Sequence, residues 1–272
     1  MSFASEVQLA DGPWTEIGKR LPTQWVLIRI ALQRQFRTWR LWWVFLAIGQ
    51  LLFAGVIVFA FSTLFPRVSG RGVTLSYAFS VYAGILTWSV VQDGALQAMN
   101  LFRDHRSYIM RFRVPLWSYA VGGCGVRAIV WLTGFVVLLL GQLLLDGEAS
   151  WRWVLAPVAL PVLLALSLGV AWIVAVLTAL EPRIQQLLPH VFLRWFFAPP
   201  VVYPREMLPG VLGRLAALNP MAHVVESLQS ILVVGAPARL HSWVITVVVS
   251  LGACALGLLL LRAKKRALMD SL

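Results

Sequence analysis

An all-α polytopic membrane protein is predicted from three observations. Hydrophobic residues make up 60% of the 272-residue chain and charged residues only 12%, against roughly 45–50% and about 25% in soluble domains. Apolar runs such as 41–65 and 243–261 are long enough to cross a bilayer at about 20 residues per helix. These runs show no alternation of apolar with polar residues, and backbone groups in lipid must be satisfied internally, so the spans are helices and not barrel strands. A soluble globule, a disordered chain and a coiled coil fit these figures poorly. The net charge of +12 would by itself point to nucleic acid, but a basic soluble surface does not explain the spans.

Residues 1–40 form a cytoplasmic N-terminal segment. Glu6, Asp11, Glu16, Lys19 and Arg20 precede any long apolar stretch, so a cleavable secretory leader is not expected. Trp25, Ile28, Leu32 and Phe36 then recur at helical spacing, with Arg29, Arg34, Arg37 and Arg40 interleaved. This predicts an amphipathic helix, opened by Pro22, whose basic face suits an anionic lipid surface.

Residues 41–272 form a single transmembrane domain with six predicted spans: 41–65, 73–99, 128–145, 153–180, 184–202 and 243–261. The third is started at Ala128 for an energetic reason. Arg127 would lie about 18 Å deep if the helix began near Val114, at a cost of ~2.5–3.5 kcal/mol. Residues 103–126 then become cytoplasmic or interfacial, with Pro115 and Gly122-Gly123 as breaks. Pro199 and Pro200 end the fifth span. Asn219-Pro220 reads as an N-cap followed by proline at the first helical position. Two short external re-entrant helices, 204–216 and 220–234, are predicted between spans five and six.

Fifteen Lys and Arg fall on one side of this layout and six on the other, so both termini are predicted to be cytoplasmic. Tryptophans near the proposed edges agree with the boundaries. Cys124 and Cys254 form no disulfide framework and have no metal-ligand spacing.

The chemistry-bearing residues are sparse. His105, His190, His223 and His241 are scattered without any metal motif, and no metal site is expected. Asp93 is the one acid well inside a proposed span, where a buried ion pair or a water-lined position outweighs a catalytic role. No GxxxxGK[ST] phosphate loop occurs; Gly18-Lys19-Arg20 lacks the upstream glycine and the hydroxyl residue. Gradient-driven transport is disfavoured by the single carboxylate and the lack of an internal repeat. Active transport would therefore need a separate ATPase. The stretch Leu101-Phe102-Arg103-Asp104-His105-Arg106-Ser107-Tyr108-Ile109-Met110-Arg111 offers a docking surface for one, and reads equally well as an ordinary basic loop.

Glu181-Pro182-Arg183-Ile184-Gln185-Gln186-Leu187-Leu188-Pro189, Pro200-Val201-Val202-Tyr203-Pro204 and Leu218-Asn219-Pro220-Met221-Ala222-His223-Val224-Val225-Glu226 occur in this order. Together with Gln33-Arg34-Gln35-Phe36-Arg37-Thr38 and the Arg-rich tail, they resemble the membrane subunits of ABC-2 type exporters of lipid-linked polysaccharide. The closest similarity is to capsular-polysaccharide export permeases, which are related to O-antigen and teichoic acid permeases. The resemblance implies a homodimer in the bacterial inner membrane, flanked by two copies of a nucleotide-binding ATPase subunit that binds ATP and Mg. The chain itself would be a transport subunit, binding no cofactor and catalysing no reaction.

On that pattern Arg103, Asp104, His105, Arg106, Tyr108 and Arg111, within a coupling segment 101–113, contact the ATPase. Trp25, Arg29, Arg34, Arg37 and Arg40 form the interface helix at the lipid headgroups. Asn219, Pro220, His223 and Glu226 belong to an external gate, where a periplasmic or outer-membrane export protein would join. A sugar polymer presents CH faces and hydroxyls, so aromatic platforms suit its path; Phe45, Phe53, Phe59, Trp195, Phe196 and Tyr203 are the candidates. Two other readings stand beside this one: an ABC-2 exporter of drugs, peptides or lipids, and an integral-membrane enzyme acting on a lipid-linked substrate through Asp93.

Overall fold

Polar residues and prolines sort the helices of this chain into long and short ones. The computed structural model describes residues 42–64, 75–111, 115–147, 149–203, 210–236 and 239–271, and every regular element among them is helical. Helix α1 is Trp42–Leu64 and α2 is Leu75–Ala98, followed by two short helices, α3 (Leu101–Asp104) and α4 (Arg106–Arg111). Helix α5 runs Leu116–Gly141 and continues through a π-helical turn, Gln142–Asp146; a 3-10 turn, Trp151–Leu155, leads into α6, Ala156–Leu180. Then come α7 (Ile184–Trp195), α8 (Gly210–Leu218), α9 (Pro220–Leu232), α10 (Leu240–Ala263) and α11 (Lys265–Ser271).

The all-α class agrees with the sequence reading, but the count of six spans is corrected. Among the described residues three helices are long and apolar enough to cross a membrane: Leu116–Asp146, Trp151–Leu180 and Leu240–Ala263. Helix α2 has the length but carries Ser76, Ser80, Thr87, Ser89, Gln92, Asp93 and Gln97. The described apolar stretch within α1 is the shorter Ile48–Ala60. The expected fifth span, 184–202, is helical only as far as Trp195, about 18 Å at 1.5 Å per residue, too short for a hydrocarbon core of roughly 30 Å. Its chain then turns at Pro199 and Pro200, and Pro199 to Val202 is buried inside the protein, where non-helical backbone is tolerated.

The predicted third span is corrected as well. Helix α5 begins at Leu116, with Pro115 as its N-cap, and Arg127 lies within it at 5% exposure. The guanidinium is accommodated because Gly94 and Gly123 leave room: a Cβ on Gly123 would stand 2.9 Å from Nη1, and one on Gly94 3.4 Å from Cζ. Nη2 donates to Cys124 Sγ at 3.1 Å, and Asp93 lies in the field of the same guanidinium. The insertion cost that moved the predicted start to Ala128 is offset only in part here by these protein neighbours, since the buried Nε has no hydrogen-bond partner among the described residues.

The expected re-entrant pair is corrected too. Of that stretch the described helices are α8 and α9, and α9 is a packed core element with Met221, Ala222, Val224, Val225, Leu228 and Leu232 buried.

Inter-helix contacts fix the directions. Ser167 Oγ donates to the Val90 carbonyl at 2.7 Å and Thr178 Oγ1 to the Met99 carbonyl at 2.9 Å, so α2 and α6 run parallel. Cys254 Sγ meets the Ala165 carbonyl and Gly257 abuts Trp172, so α10 runs parallel to α6. Helix α5 runs the other way, with Gly123 beside Gln97, Gly134 beside Leu86 and Gly141 beside Phe79. One end of the bundle thus gathers the starts of α2, α6 and α10 together with α9. The opposite end gathers their C-termini with α3, α4 and α11, and holds Arg103, Arg106, Arg183, Arg262, Lys264, Lys265 and Arg266.

Candidate functional site

Three groups of side chains stand out: one at the basic end, one at mid-height, one at the α9 end. At the basic end Phe102 and Ile109 are buried and pin α3 and α4 to the bundle. His105 sits between the two short helices, its Nδ1 2.8 Å from the Leu101 carbonyl and its ring 5.3 Å from that of Tyr119. His105 therefore shapes the bend between them. Arg103, Asp104 and Arg106 are exposed. The sequence reading placed these four together, as the structure does; the side chains of Tyr108 and Arg111 lie outside the described residues, as do Trp25, Arg29, Arg34, Arg37 and Arg40.

At mid-height the aromatic residues converge on Trp88 of α2. Its ring lies 5.6 Å from Trp195, 5.9 Å from Phe196 and 6.2 Å from Phe192, all on or just after α7. Phe53 of α1 reaches Phe196 at 5.8 Å, and Phe197 packs edge-on to Phe196 at 5.0 Å. Edge-to-face geometries of this kind are favoured by the ring quadrupoles. The Trp88 indole N–H donates to Gln92 Oε1.

Three predicted platform residues, Phe53, Trp195 and Phe196, are thus brought together. Their organising ring, Trp88, was missed, and so were Phe192 and Phe197; a tryptophan in the middle of a polar helix, away from any proposed membrane edge, was the available signal. Trp88, Phe192 and Phe196 are buried, whereas Phe53 and Phe197 are each 47% exposed and Trp195 is half-buried. The group therefore has a packed base and an open aromatic edge. Phe59 is exposed on α1, and the side chain of Phe45 lies outside the described residues. Tyr203 closes the turn after α7, its hydroxyl donating to the Phe197 carbonyl at 2.7 Å; burial pushes its phenol pKa upward.

At the α9 end Asn219 caps the helix, accepting from Met221 N at 3.1 Å, and Pro220 occupies the first turn. His223 Nε2 donates to the Ala217 carbonyl at 2.9 Å, and Nδ1 lies 3.2 Å from Ser242 Oγ. Ser242 donates to Glu226 Oε2 at 3.1 Å, while Glu226 Oε1 pairs with Arg239 Nη1 at 3.6 Å. One turn on, Ser227 and Thr246 share a hydrogen bond of 3.1 Å. All four predicted gate residues meet here, but as a seam joining α9 to α10. Ser242, Arg239, Ser227 and Thr246 were missed because none stands in a motif.

A serine between a histidine and a glutamate invites a catalytic reading. Ser242 is 1% exposed and its hydroxyl is committed to neighbouring side chains, so the arrangement is a latch and not a nucleophile with access to substrate. Among the described residues no group of three His, Cys, Asp or Glu could hold a metal.

The far side of α9 is held by residues the sequence did not single out. Gln142, placed by the π-helical turn, donates to the Leu232 carbonyl at 2.8 Å and accepts from Val234 N at 2.9 Å. Arg152 Nη1 donates to the Ser230 and Ala236 carbonyls at 3.2 and 2.8 Å, and Trp153 Nε1 donates to Leu232 O.

The sequence model of the ABC-2 type transporter family matches residues 25–233. The chain belongs to this family. Over 158 residues the permease is 23% identical to an O-antigen export system permease protein, RfbA of Myxococcus xanthus, covering 57% of this chain and 61% of that one. The permease thus spans about three fifths of the length of the curated relative it matches. It is distantly related to the polysaccharide export permeases at the family level. Members of the family are typically non-catalytic transport subunits that pair with a nucleotide-binding ATPase subunit. The match begins in the predicted interface helix and ends after α9, so the aromatic group and most of the α9 seam lie within it.

Proposed function

We propose that this permease is the membrane subunit of an ATP-driven exporter that moves lipid-linked polysaccharide, capsular polysaccharide foremost, across the bacterial inner membrane. It works as a homodimer with two copies of a separate ATPase, which binds the ATP and Mg, and with both its termini in the cytoplasm. The similarity to an O-antigen export permease carries the substrate class. The gathering of basic residues at one end of the bundle supports the orientation, and the open edge formed by Phe53, Trp195 and Phe197 supports a path for sugar CH faces. The α3–α4 segment is the coupling element, with Asp104 turned to the ATPase, and the α9 seam with His223 and Glu226 is the fixed frame of the exit side.

The test is genetic and biochemical together. Deletion of the gene removes polysaccharide from the cell surface, and the purified permease forms a complex with the ATPase encoded beside it. Unchanged surface polysaccharide with no such complex would discard the reading; loss of drug, peptide or lipid export instead would move the permease to another branch of the family. Asp104→Lys leaves the dimer folded but uncouples ATP hydrolysis from export. Undiminished export in that variant would show that the coupling element lies elsewhere.

A further inference from the structure

Where α2 and α6 end, Arg103 and Arg106 line a pocket of about 250 Å³ whose inner wall includes Met99, Phe102, Ala175 and Ala179. The hydroxyl of Thr178 is already committed to the Met99 and Val174 carbonyls, and the Gln185 amide to Met99 O. The nearby carboxylate of Glu181 is engaged by Arg183. The guanidinium groups of Arg103 and Arg106 have no hydrogen-bond or ion-pair partner among the described residues. Two unpaired guanidinium groups at the mouth of an apolar cavity are matched by a compact oxyanion attached to something apolar.

Position narrows the ligand class. Helix α6 is one of the membrane-crossing helices and ends at Leu180, so the pocket, bordered by Thr178 and Ala179, lies at headgroup depth. A free phosphate would leave the apolar wall unused, whereas a lipid sets its phosphate between the arginines and its first carbons against Phe102, Ala175 and Ala179. We propose that this pocket holds the phosphate headgroup of an anionic membrane lipid, which ties the α3–α4 segment to the end of α6.

The full-length permease, reconstituted in phosphatidylcholine nanodiscs, is tested in three arms: with added phosphatidylglycerol, with added undecaprenyl phosphate, and with inorganic phosphate alone. Native mass spectrometry counts what each chain retains. The wild type retains one lipid in at least one of the two lipid arms, and the arm that succeeds identifies the source. R103Q/R106Q weakens retention by about tenfold or more. Ala179→Phe, which fills the apolar wall and keeps both charges, does the same; K264Q/R266Q, on the exposed tail of the same basic end, retains lipid like the wild type.

Equal retention in R103Q/R106Q and wild type overturns the proposal, and so does equal loss in K264Q/R266Q, which would mark diffuse charge attraction. Binding of inorganic phosphate without any lipid overturns it. Displacement of the lipid by the ATPase subunit assigns the pocket to that protein and also overturns it. Thermal melting of each variant separates lost binding from lost folding.

Discussion

Arg152 shows how much a single side chain of the α9 end carries. By sequence it is one more external charge beside two tryptophans. In the structure one of its nitrogens bonds two carbonyls at and beyond the C-terminus of α9, where helix carbonyls lack internal partners. Arg152→Leu should lower stability by about 2 kcal/mol, because hydrogen bonds to a charged donor are the stronger kind and the carbonyls are left partly unsatisfied. Thermal melting of the purified permease checks this, and a melting temperature equal to wild type would refute it. The Asn219 cap, by contrast, was legible, because Asn-Pro fixes both a side-chain acceptor and a helical φ within two residues. Arg152 was not: its partners lie 78 and 84 positions away, and a carbonyl leaves no mark in a sequence. The aromatic residues divide on the same basis. Trp88→Ala should cost ~3–5 kcal/mol as a buried ring lost from a packed group. Phe197→Ala, half-exposed, should leave melting within about 1 kcal/mol of wild type yet reduce export measured as surface polysaccharide; full export with Phe197→Ala would remove Phe197 from the path.

Elements pair through small residues here. Gly169 of α6 faces the backbone of α10 so closely that a Cβ would stand 2.4 Å from the Ala253 carbonyl carbon, and a Cβ on Gly257 would stand 2.8 Å from Gly169 O. Close backbone approach of this type is how membrane helices gain packing without a hydrophobic driving force. Gly169→Ala should therefore separate α6 from α10 and destabilise by ~1–3 kcal/mol or more. Gly252→Ala on the same α10, with nothing within 4 Å of its Cβ, should lie within about 1 kcal/mol of wild type. Denaturation of both variants in one detergent is the comparison, and an equal loss in the two would show that the tight contact is not what holds the pair. Apolar length made α5, α6 and α10 legible as elements, while the Arg127 penalty, computed for an isolated helix, misplaced the start of α5. Of the glycines that admit Arg127, Gly123 was read only as a break and Gly94 was not singled out, because their purpose depends on α2 and α5 lying side by side. Helix α7 was lengthened in the reading because its apolar character continues past the prolines, and hydropathy does not separate a helix from buried turns.

Across the whole molecule the two ends are held differently. The α9 end is laced by long-range bonds from Gln142, Arg152, Trp153, His223, Ser227 and Gln229, and most of α9 is buried. At the basic end α3 and α4 are short, bury mainly Phe102 and Ile109, and present Arg103, Asp104, Arg106 and Ser107 outward. Local opening costs least where few apolar contacts and few sheltered backbone bonds resist it. Backbone hydrogen exchange should therefore be slowest over residues 220–232 and faster by about two orders of magnitude over 101–111, a difference of about 2.7 kcal/mol in opening free energy at 1.36 kcal/mol per tenfold. Addition of the ATPase subunit should slow exchange over 101–111 and leave 220–232 nearly unchanged, because a partner stabilises the segment it contacts in proportion to its occupancy. Protection appearing first over 220–232 would mean that the seam at the α9 end, and not the basic end, takes up the partner, and the proposed direction of the permease in the membrane would have to be reversed.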